Sequence, residues 1–168
     1  DSKGEEHAFI AEQLRSLGHE PFLIDVGTYR EPTITPDITR EEVAKAGGID
    51  LPALRAREDR GECVTAMSEA APILLKQLAE SGRIQGVISL GGGGGTAICT
   101  AAMRALPIGF PKLMVSTLAS GNTAHYVGSS DIAMMPSIVD VAGMNRISRT
   151  IFSRAAGAIA GMDDAPVA

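Results

Sequence analysis

The chain alternates between stretches with apolar residues at helical spacing and short, continuous apolar runs. The first pattern predicts helices over about residues 3–17, 62–81, 96–106 and 145–159. The second predicts strands over residues 21–27, 86–90, 112–117 and 131–135. Continuous apolar strands that alternate with helices are typical of a parallel sheet covered on both faces. We therefore predict an α/β fold: an open, mostly parallel, doubly wound (Rossmann-like) sheet with helices on both faces.

Residues at both ends of the first helix carry start and stop signals. Asp1 or Ser2 can cap its beginning, and Glu5 and Glu6 follow in the first turn, where the helix dipole favours acids. Gly18 is expected to end it.

One long segment, residues 28–61, interrupts the alternation and is rich in proline and charge. Asp37 or Thr39 can cap a short helix that ends near Gly47 and Gly48. An excursion of this length after the carboxyl end of a strand is often a functional lid or an interaction arm. A surface insertion without a role explains the pattern equally well, and both interpretations stay open at this point.

Composition narrows the class of protein. With 168 residues the chain is long enough for one domain or for one lobe of a larger protein. The net charge of −5 argues against nucleic-acid binding, which needs clustered lysine and arginine. Aromatic residues make up 4% and tryptophan is absent, so the core is aliphatic and no stacking platform for single-stranded nucleic acid is expected.

The cysteines and the apolar runs indicate a compartment. Cys63 and Cys99 fit neither a disulfide framework nor the spacing of a metal site, so we expect two buried free thiols in a reducing cytoplasm. No apolar run reaches the ~18 residues of a membrane span. The chain opens with polar and charged residues, so no signal peptide is expected either. These features predict a cytoplasmic protein without membrane contact.

Five consecutive glycines between a predicted strand and a predicted helix are the most distinctive local feature. Glycine permits positive φ and a close approach of backbone N–H groups to a ligand. Together with the start of the helix, these donors make an anion site from Gly91, Gly92, Gly93, Gly94, Gly95 and Thr96. No Gly-Lys-Ser/Thr follows, which excludes a Walker A loop, and Thr96 breaks the dinucleotide fingerprint. A tight turn without a ligand is the alternative.

Polar residues follow two other predicted strands. In open parallel sheets, ligands bind outside the carboxyl ends of the strands. We expect Asp25 to hold a ribose hydroxyl or a hydrated Mg²⁺ there, although a carboxylate that caps a turn is the alternative. The remaining candidates lie at or just after the carboxyl end of the 112–117 strand and are Ser116, Thr117, Ser120, Gly121 and Asn122.

Three further residues are weaker candidates. His125 follows the Ser120 turn and is a candidate for the pocket wall. Arg146 and Arg149 begin the last helix, where the helix dipole disfavours cations, so they meet a phosphate or a partner carboxylate or are merely exposed. No Ser-His-Asp or Cys-His arrangement is recognisable, so the sequence assigns no catalytic residue.

Five segments in this order carry a resemblance to a known family: residues 1–6, 89–97, 111–117, 119–121 and 140–149. Together they resemble the ATP-binding domain family typified by the tomato mosaic virus resistance protein. The resemblance covers residues 1–162 and implies the first of two α/β lobes, with 163–168 as a linker. It also implies ATP and Mg²⁺ at the glycine segment, with Lys3 neutralising phosphate charge, and association into homodimers.

Members of that family begin with a strand just before the motif at residues 1–6, and they carry a second lobe. We therefore expect this chain to be a piece of a longer protein that lacks its first strand and second lobe. Two functional hypotheses follow. The first is a nucleotide-binding module that holds ATP phosphates on the glycine segment. The alternative is a lobe of a metabolic enzyme that acts on a small phosphorylated or carboxylate compound, with the same segment as its anion cradle.

Overall fold

The computed structural model describes residues 3–138 and 144–167. Within these ranges the elements follow the predicted alternation closely, and the predicted helix starting near residue 96 begins three residues earlier. In chain order they are α1 Gly4–Ser16, α2 Arg40–Ala46, α3 Leu51–Ala56, α4 Arg60–Glu80, β1 Val87–Gly91, α5 Gly93–Arg104, β2 Lys112–Ser116, α6 Ala124–Val127, β3 Ala133–Pro136 and α7 Arg146–Asp164.

The three strands form one open parallel sheet in the order β1-β2-β3. Alternate residues of β2 point to opposite faces, as the period of a strand requires. Leu113 and Val115 pack on one face against α1 and α7, whereas Met114 packs on the other face against Met103 of α5. The predicted open parallel sheet with helices on both faces is therefore confirmed.

The segment predicted as a strand over residues 21–27 does not join this sheet, so that prediction is wrong. It makes one isolated bridge, between Ile24 and Ile38. The Asp25 N–H donates to the Ile38 carbonyl at 3.0 Å, and the Leu23 carbonyl accepts from the Asp37 N–H at 2.8 Å. The backbone thus pairs locally with the segment that leads into α2. Ile24 packs with the helices α2 to α5 instead of against a strand.

The 28–61 segment contributes α2 and α3 to the hydrophobic core. Val43 and Ala44 are fully buried against α4, and Leu51 and Leu54 belong to the same cluster. Thr39 caps α2 in a capping box with Glu42, as the sequence predicted. Because these helices complete the core, neither a lid nor an insertion without a role describes them.

The structure also tests the predictions for the ends of α1, the two cysteines, the end of α7 and a membrane span. Gly18, with φ +87°, follows the end of α1, whereas the predicted caps Asp1 and Ser2 lie outside the described residues. Both cysteines are free thiols as predicted; Cys63 is buried, whereas Cys99 is partly exposed. Helix α7 continues to Asp164, two residues into the segment expected to be a linker. Across residues 3–138 and 144–167, no helix is both long and apolar enough to span a bilayer.

Candidate functional site

The carboxyl ends of the three strands lie side by side and form the floor of the candidate site. Gly91 is in register with Ser116, and Ser116 is in register with Pro136. The residues that leave the strands remain paired: the Thr117 N–H donates to the Gly91 carbonyl at 3.3 Å, and the Ser137 N–H donates to the Ser116 carbonyl at 3.2 Å. The edge at which ligands bind in open parallel sheets is therefore built from these residues.

The glycine segment joins the end of β1 directly to the start of α5. Gly92 is the cap residue and provides no side-chain hydrogen bond. The first backbone bond of the helix is donated by the Thr96 N–H to the Gly92 carbonyl, at 2.9 Å. The N–H groups of Gly93, Gly94 and Gly95 precede it and have no acceptor within the helix. They lie at its positive end, which favours an anion.

None of the five glycines has a positive φ, so the predicted need for positive φ is wrong, whereas the close approach of their N–H groups to a ligand stays a prediction. Space explains Gly91, because a Cβ there would lie 3.1 Å from Cα of Gly95. At Gly93 a Cβ would meet nothing within 4 Å, and both Gly93 and Gly94 are exposed. The folded chain therefore gives no steric or conformational reason for glycine at position 93. The absence of a side chain at position 93 leaves the first N–H groups of α5 uncovered.

Thr96 and Ser116 are fully buried behind this turn. Their hydroxyl oxygens lie 2.7 Å apart, and the Ser116 oxygen also accepts from the Leu118 N–H at 3.0 Å. These bonds fasten the first turn of α5 to the end of β2. In this structure both side chains position the glycine segment and neither faces solvent.

A small cavity of about 20 Å³ opens at the ends of β1 and β2, on the face covered by α1 and α7. It brings together three of the predicted site residues, Lys3, Gly91 and Thr117. Two polar residues that the sequence analysis missed also line it: Glu6, which is 4% exposed, and Ser137, which is 8% exposed. Apolar walls come from Leu90 and Phe152.

The signals for the missed residues were present in the sequence. Ser137 follows directly on β3, so the rule that selected Thr117 after β2 would have selected it too. The sequence explains Glu6 by the helix dipole, because it lies in the first turn of α1. Its burial depends on the packing of α1 against α7, which the local pattern does not contain.

The remaining residues predicted to contact a ligand lie at the surface, in the turn after β2. Ser120, Gly121 and Asn122 are exposed, and none of them lines the cavity. The Gly121 N–H donates to the Leu118 carbonyl at 3.0 Å, and the Asn122 side-chain oxygen accepts from the Ala124 N–H at 3.1 Å. His125 is exposed and contacts the Tyr126 ring, with 3.9 Å between ring centroids.

Asp25 has both carboxylate oxygens engaged within the chain. One oxygen accepts from the Gly27 N–H at 2.9 Å, which is the turn-capping contact that the sequence left open. The other accepts from Nε of Arg40 at 2.7 Å. Asp25 does not line the cavity, and its contact with a ribose or a metal ion stays a prediction.

A buried hydrogen-bonded chain anchors the backbone of Lys3 to β1. Nδ1 of His7 lies 2.7 Å from the Lys3 carbonyl, which can only accept, so Nδ1 carries the proton. Burial lowers the pKa of His7, so the ring is neutral and Nε2 accepts from the Ser89 hydroxyl at 3.3 Å. The Ser89 oxygen in turn lies 3.0 Å from the Cys99 sulfur, whose pKa is raised by burial. This series of hydrogen bonds holds the start of α1 beside the cavity.

The start of α7 is capped as the sequence predicted. The Asn145 side chain accepts from the N–H groups of Ile147 at 2.9 Å and Ser148 at 3.0 Å. Arg146 and Arg149 are exposed on the first turns of this helix. Residues 139–143, which include the first part of the predicted 140–149 motif, lie outside the described residues.

Comparison with known proteins gives relatives over the whole chain. Residues 1–167 match the N-terminal domain model of the uncharacterised protein family UPF0261. A UPF0261 protein of Clostridium tetani is 46% identical over 162 residues, which are 96% of this chain and 40% of that protein. A UPF0261 protein of Mesorhizobium japonicum is 50% identical over 169 residues, covering 99% of this chain and 41% of that protein.

A plant protein is similar over a shorter stretch. The ToMV resistance protein Tm-1(GCR237) of Solanum lycopersicum is 45% identical over 103 residues, which are 61% of this chain and 14% of that protein. The relation to the tomato resistance protein expected from the sequence motifs is thereby confirmed. The chain spans about 40% of the length of the bacterial relatives.

Proposed function

We propose that this chain, which belongs to the uncharacterised UPF0261 N-terminal domain family, binds the phosphate groups of a nucleotide, ATP, along the glycine segment. One observation carries the proposal. The first turn of α5 presents the N–H groups of Gly93 to Gly95 without a capping side chain, at a position where the fold itself does not require Gly93. An uncovered, positive helix end of this kind is suited to phosphate.

The charges beside the helix end fit the same ligand. Lys3 lines the cavity together with Gly91, which places a basic residue near the first turn of α5. Hydrogen bonds to charged groups contribute about 1.5–3 kcal/mol each, so a few of them support micromolar binding, about −8 kcal/mol.

The oxygen atoms that line the cavity are ligands of the kind that bind Mg²⁺, the ion that accompanies ATP. Glu6 supplies a carboxylate, and Thr117 and Ser137 supply hydroxyls, which are the hard ligands that this ion prefers. The cavity of about 20 Å³ accommodates a group the size of a water molecule. We infer that the base and ribose lie outside it, where the second lobe or a second copy of the chain completes the site.

Gly93→Ala tests this proposal through opposite effects on stability and binding. The new methyl group meets no protein atom, so the helix should gain about 0.5–1 kcal/mol of stability. The same methyl group covers N–H groups that are proposed to meet phosphate. We expect the affinity for MgATP, measured by titration calorimetry, to fall about tenfold, as for the loss of one hydrogen bond to a charged group.

Gly157→Ala is the matched control, because it lies in α7, is exposed, and also has nothing within 4 Å of an added Cβ. It should stabilise the protein similarly and leave the affinity for ATP unchanged. Equal affinity in Gly93→Ala and Gly157→Ala would contradict binding at the glycine segment. A complete absence of ATP binding by the unsubstituted chain would restrict the proposal to the longer, two-lobe protein, where the same pair of variants applies.

A smaller ligand is the second candidate, and the size of the cavity favours it. A lobe of a metabolic enzyme that takes a small phosphorylated or carboxylate compound needs no room for a base and ribose. Glu6 and Lys3 would then place a carboxylate and an ammonium group beside that compound. Titrations with inorganic phosphate, pyrophosphate and ATP separate the two candidates. Binding of phosphate as tight as that of ATP favours the enzyme lobe, whereas a strong preference for ATP favours the nucleotide module.

A further inference from the structure

We propose a divalent-cation site where the C-terminal ends of α1 and α7 meet, formed by His19, Asp163 and Asp164. One ligand atom from each residue lies within 4.8 Å of the others. His19 follows the end of α1, and the two aspartates are the last residues of α7. These helices pack against each other, so the cluster joins two segments that are distant in the sequence. It shares no residue with the candidate nucleotide site.

The local electrostatics favour a cation at this point. The C-terminal end of a helix carries a negative partial charge, which disfavours acids and favours cations. Asp163 and Asp164 nevertheless occupy the last turn of α7, which contains no basic residue. Three sources of negative potential therefore coincide here: the two carboxylates, the end of α7 and the nearby end of α1.

His19 lies between the two carboxylates and contacts both. Its Nδ1 is 3.5 Å from an oxygen of Asp163, and its Nε2 is 3.2 Å from an oxygen of Asp164. Each ring nitrogen therefore lies near a carboxylate oxygen, so an imidazole nitrogen and a carboxylate oxygen are close enough to bind one cation together.

The donor set selects the kind of ion. An imidazole nitrogen together with carboxylate oxygens suits Zn²⁺ and similar first-row divalent ions, whereas Mg²⁺ and Ca²⁺ prefer oxygen alone. In the arrangement that we propose, Nε2 of His19 and the Asp164 carboxylate bind the ion. The Nδ1–H donates to Asp163, which orients the ring as in other carboxylate–histidine–metal sites. The Asp164 side chain is 65% exposed, so water can complete the coordination.

Thermal unfolding in the presence of ZnCl₂ tests the site, because an ion that binds only the folded chain raises Tm. At a hundredfold excess over Kd we expect a shift of about 5–10 °C. His19→Ala and Asp164→Asn should lose this shift. His125→Ala, which removes an exposed histidine that does not belong to the cluster, should retain it. These substitutions lie at the surface, and unfolding without metal shows whether each variant is folded.

Cobalt provides a readout that does not depend on stability. Bound Co²⁺ should give visible absorption bands typical of nitrogen and oxygen ligands, and His19→Ala should abolish them. An equal Zn²⁺ shift in His19→Ala and in the unsubstituted chain would overturn the proposal. So would the absence of any shift and any cobalt band, which would leave His19 as an ion-pair partner of the two aspartates.

Discussion

Replacement of Asp25 by alanine is expected to lower the free energy of unfolding by about 3–5 kcal/mol, because it breaks a buried ion pair by removing one of its two partners. Arg40 is 2% exposed, and its Nε donates to Asp25 at 2.7 Å. The same carboxylate accepts from the Gly27 N–H, and this hydrogen bond stabilises the turn formed by residues 25–27. Asp25→Ala therefore removes both the ion pair with Arg40, which attaches the 21–27 segment to α2, and the hydrogen bond that caps the turn.

Urea unfolding followed by far-UV circular dichroism measures this change. Glu41→Ala, an exposed position in the first turn of α2, is the control and should stay within about 0.5 kcal/mol of the unsubstituted chain. A double variant, Asp25→Leu with Arg40→Met, should recover much of the loss, because apolar side chains of similar volume then replace both members of the buried ion pair. A loss below about 1 kcal/mol in Asp25→Ala would contradict this structural role.

Asp131→Ala is expected to destabilise the protein by about 3 kcal/mol, and Lys112→Met by less than about 1 kcal/mol. The Lys112 side chain is fully buried at the start of β2, where Nζ donates to Asp131 at 2.6 Å and to the Pro107 carbonyl at 2.7 Å. Asp131 is 42% exposed and also accepts from the Gly109 N–H at 2.9 Å. Removal of the carboxylate leaves a buried ammonium group, whereas removal of the ammonium group leaves a carboxylate that water can reach.

Chemical unfolding of both variants checks the asymmetry, and equal losses would contradict it. The pH dependence provides an independent check. The hydrogen bond from Lys112, followed by that from the Gly109 N–H, lowers the pKa of Asp131 below its usual value of 3.8. The stabilisation is therefore complete above the pKa of the unfolded chain and is lost as the pH falls through the lower pKa of the folded chain. Lys112→Met should lose less stability than the unsubstituted chain as the pH falls below about 3.8, the usual pKa of the carboxyl group.

The sequence by itself determined the elements and the edge of the sheet where ligands are expected. Continuous apolar runs located the three strands of the described sheet, because a strand covered on both faces consists mainly of apolar residues. Thr39 and Asn145 marked helix starts, because capping depends on residues within one turn of each other. The glycine segment was likewise visible as the connection between β1 and α5.

Only the tertiary structure decided which groups meet. The run at residues 21–27 reads as a strand, yet its hydrogen bonds go to the segment before α2, because an apolar run does not specify its partner. Burial turned Thr96 and Ser116 inward, although their hydroxyls appeared available in the sequence. Packing of α1 on α7 and on the sheet brought Glu6 to the cavity and His19 to Asp163 and Asp164. Such contacts depend on the relative placement of whole elements, which local sequence patterns do not encode.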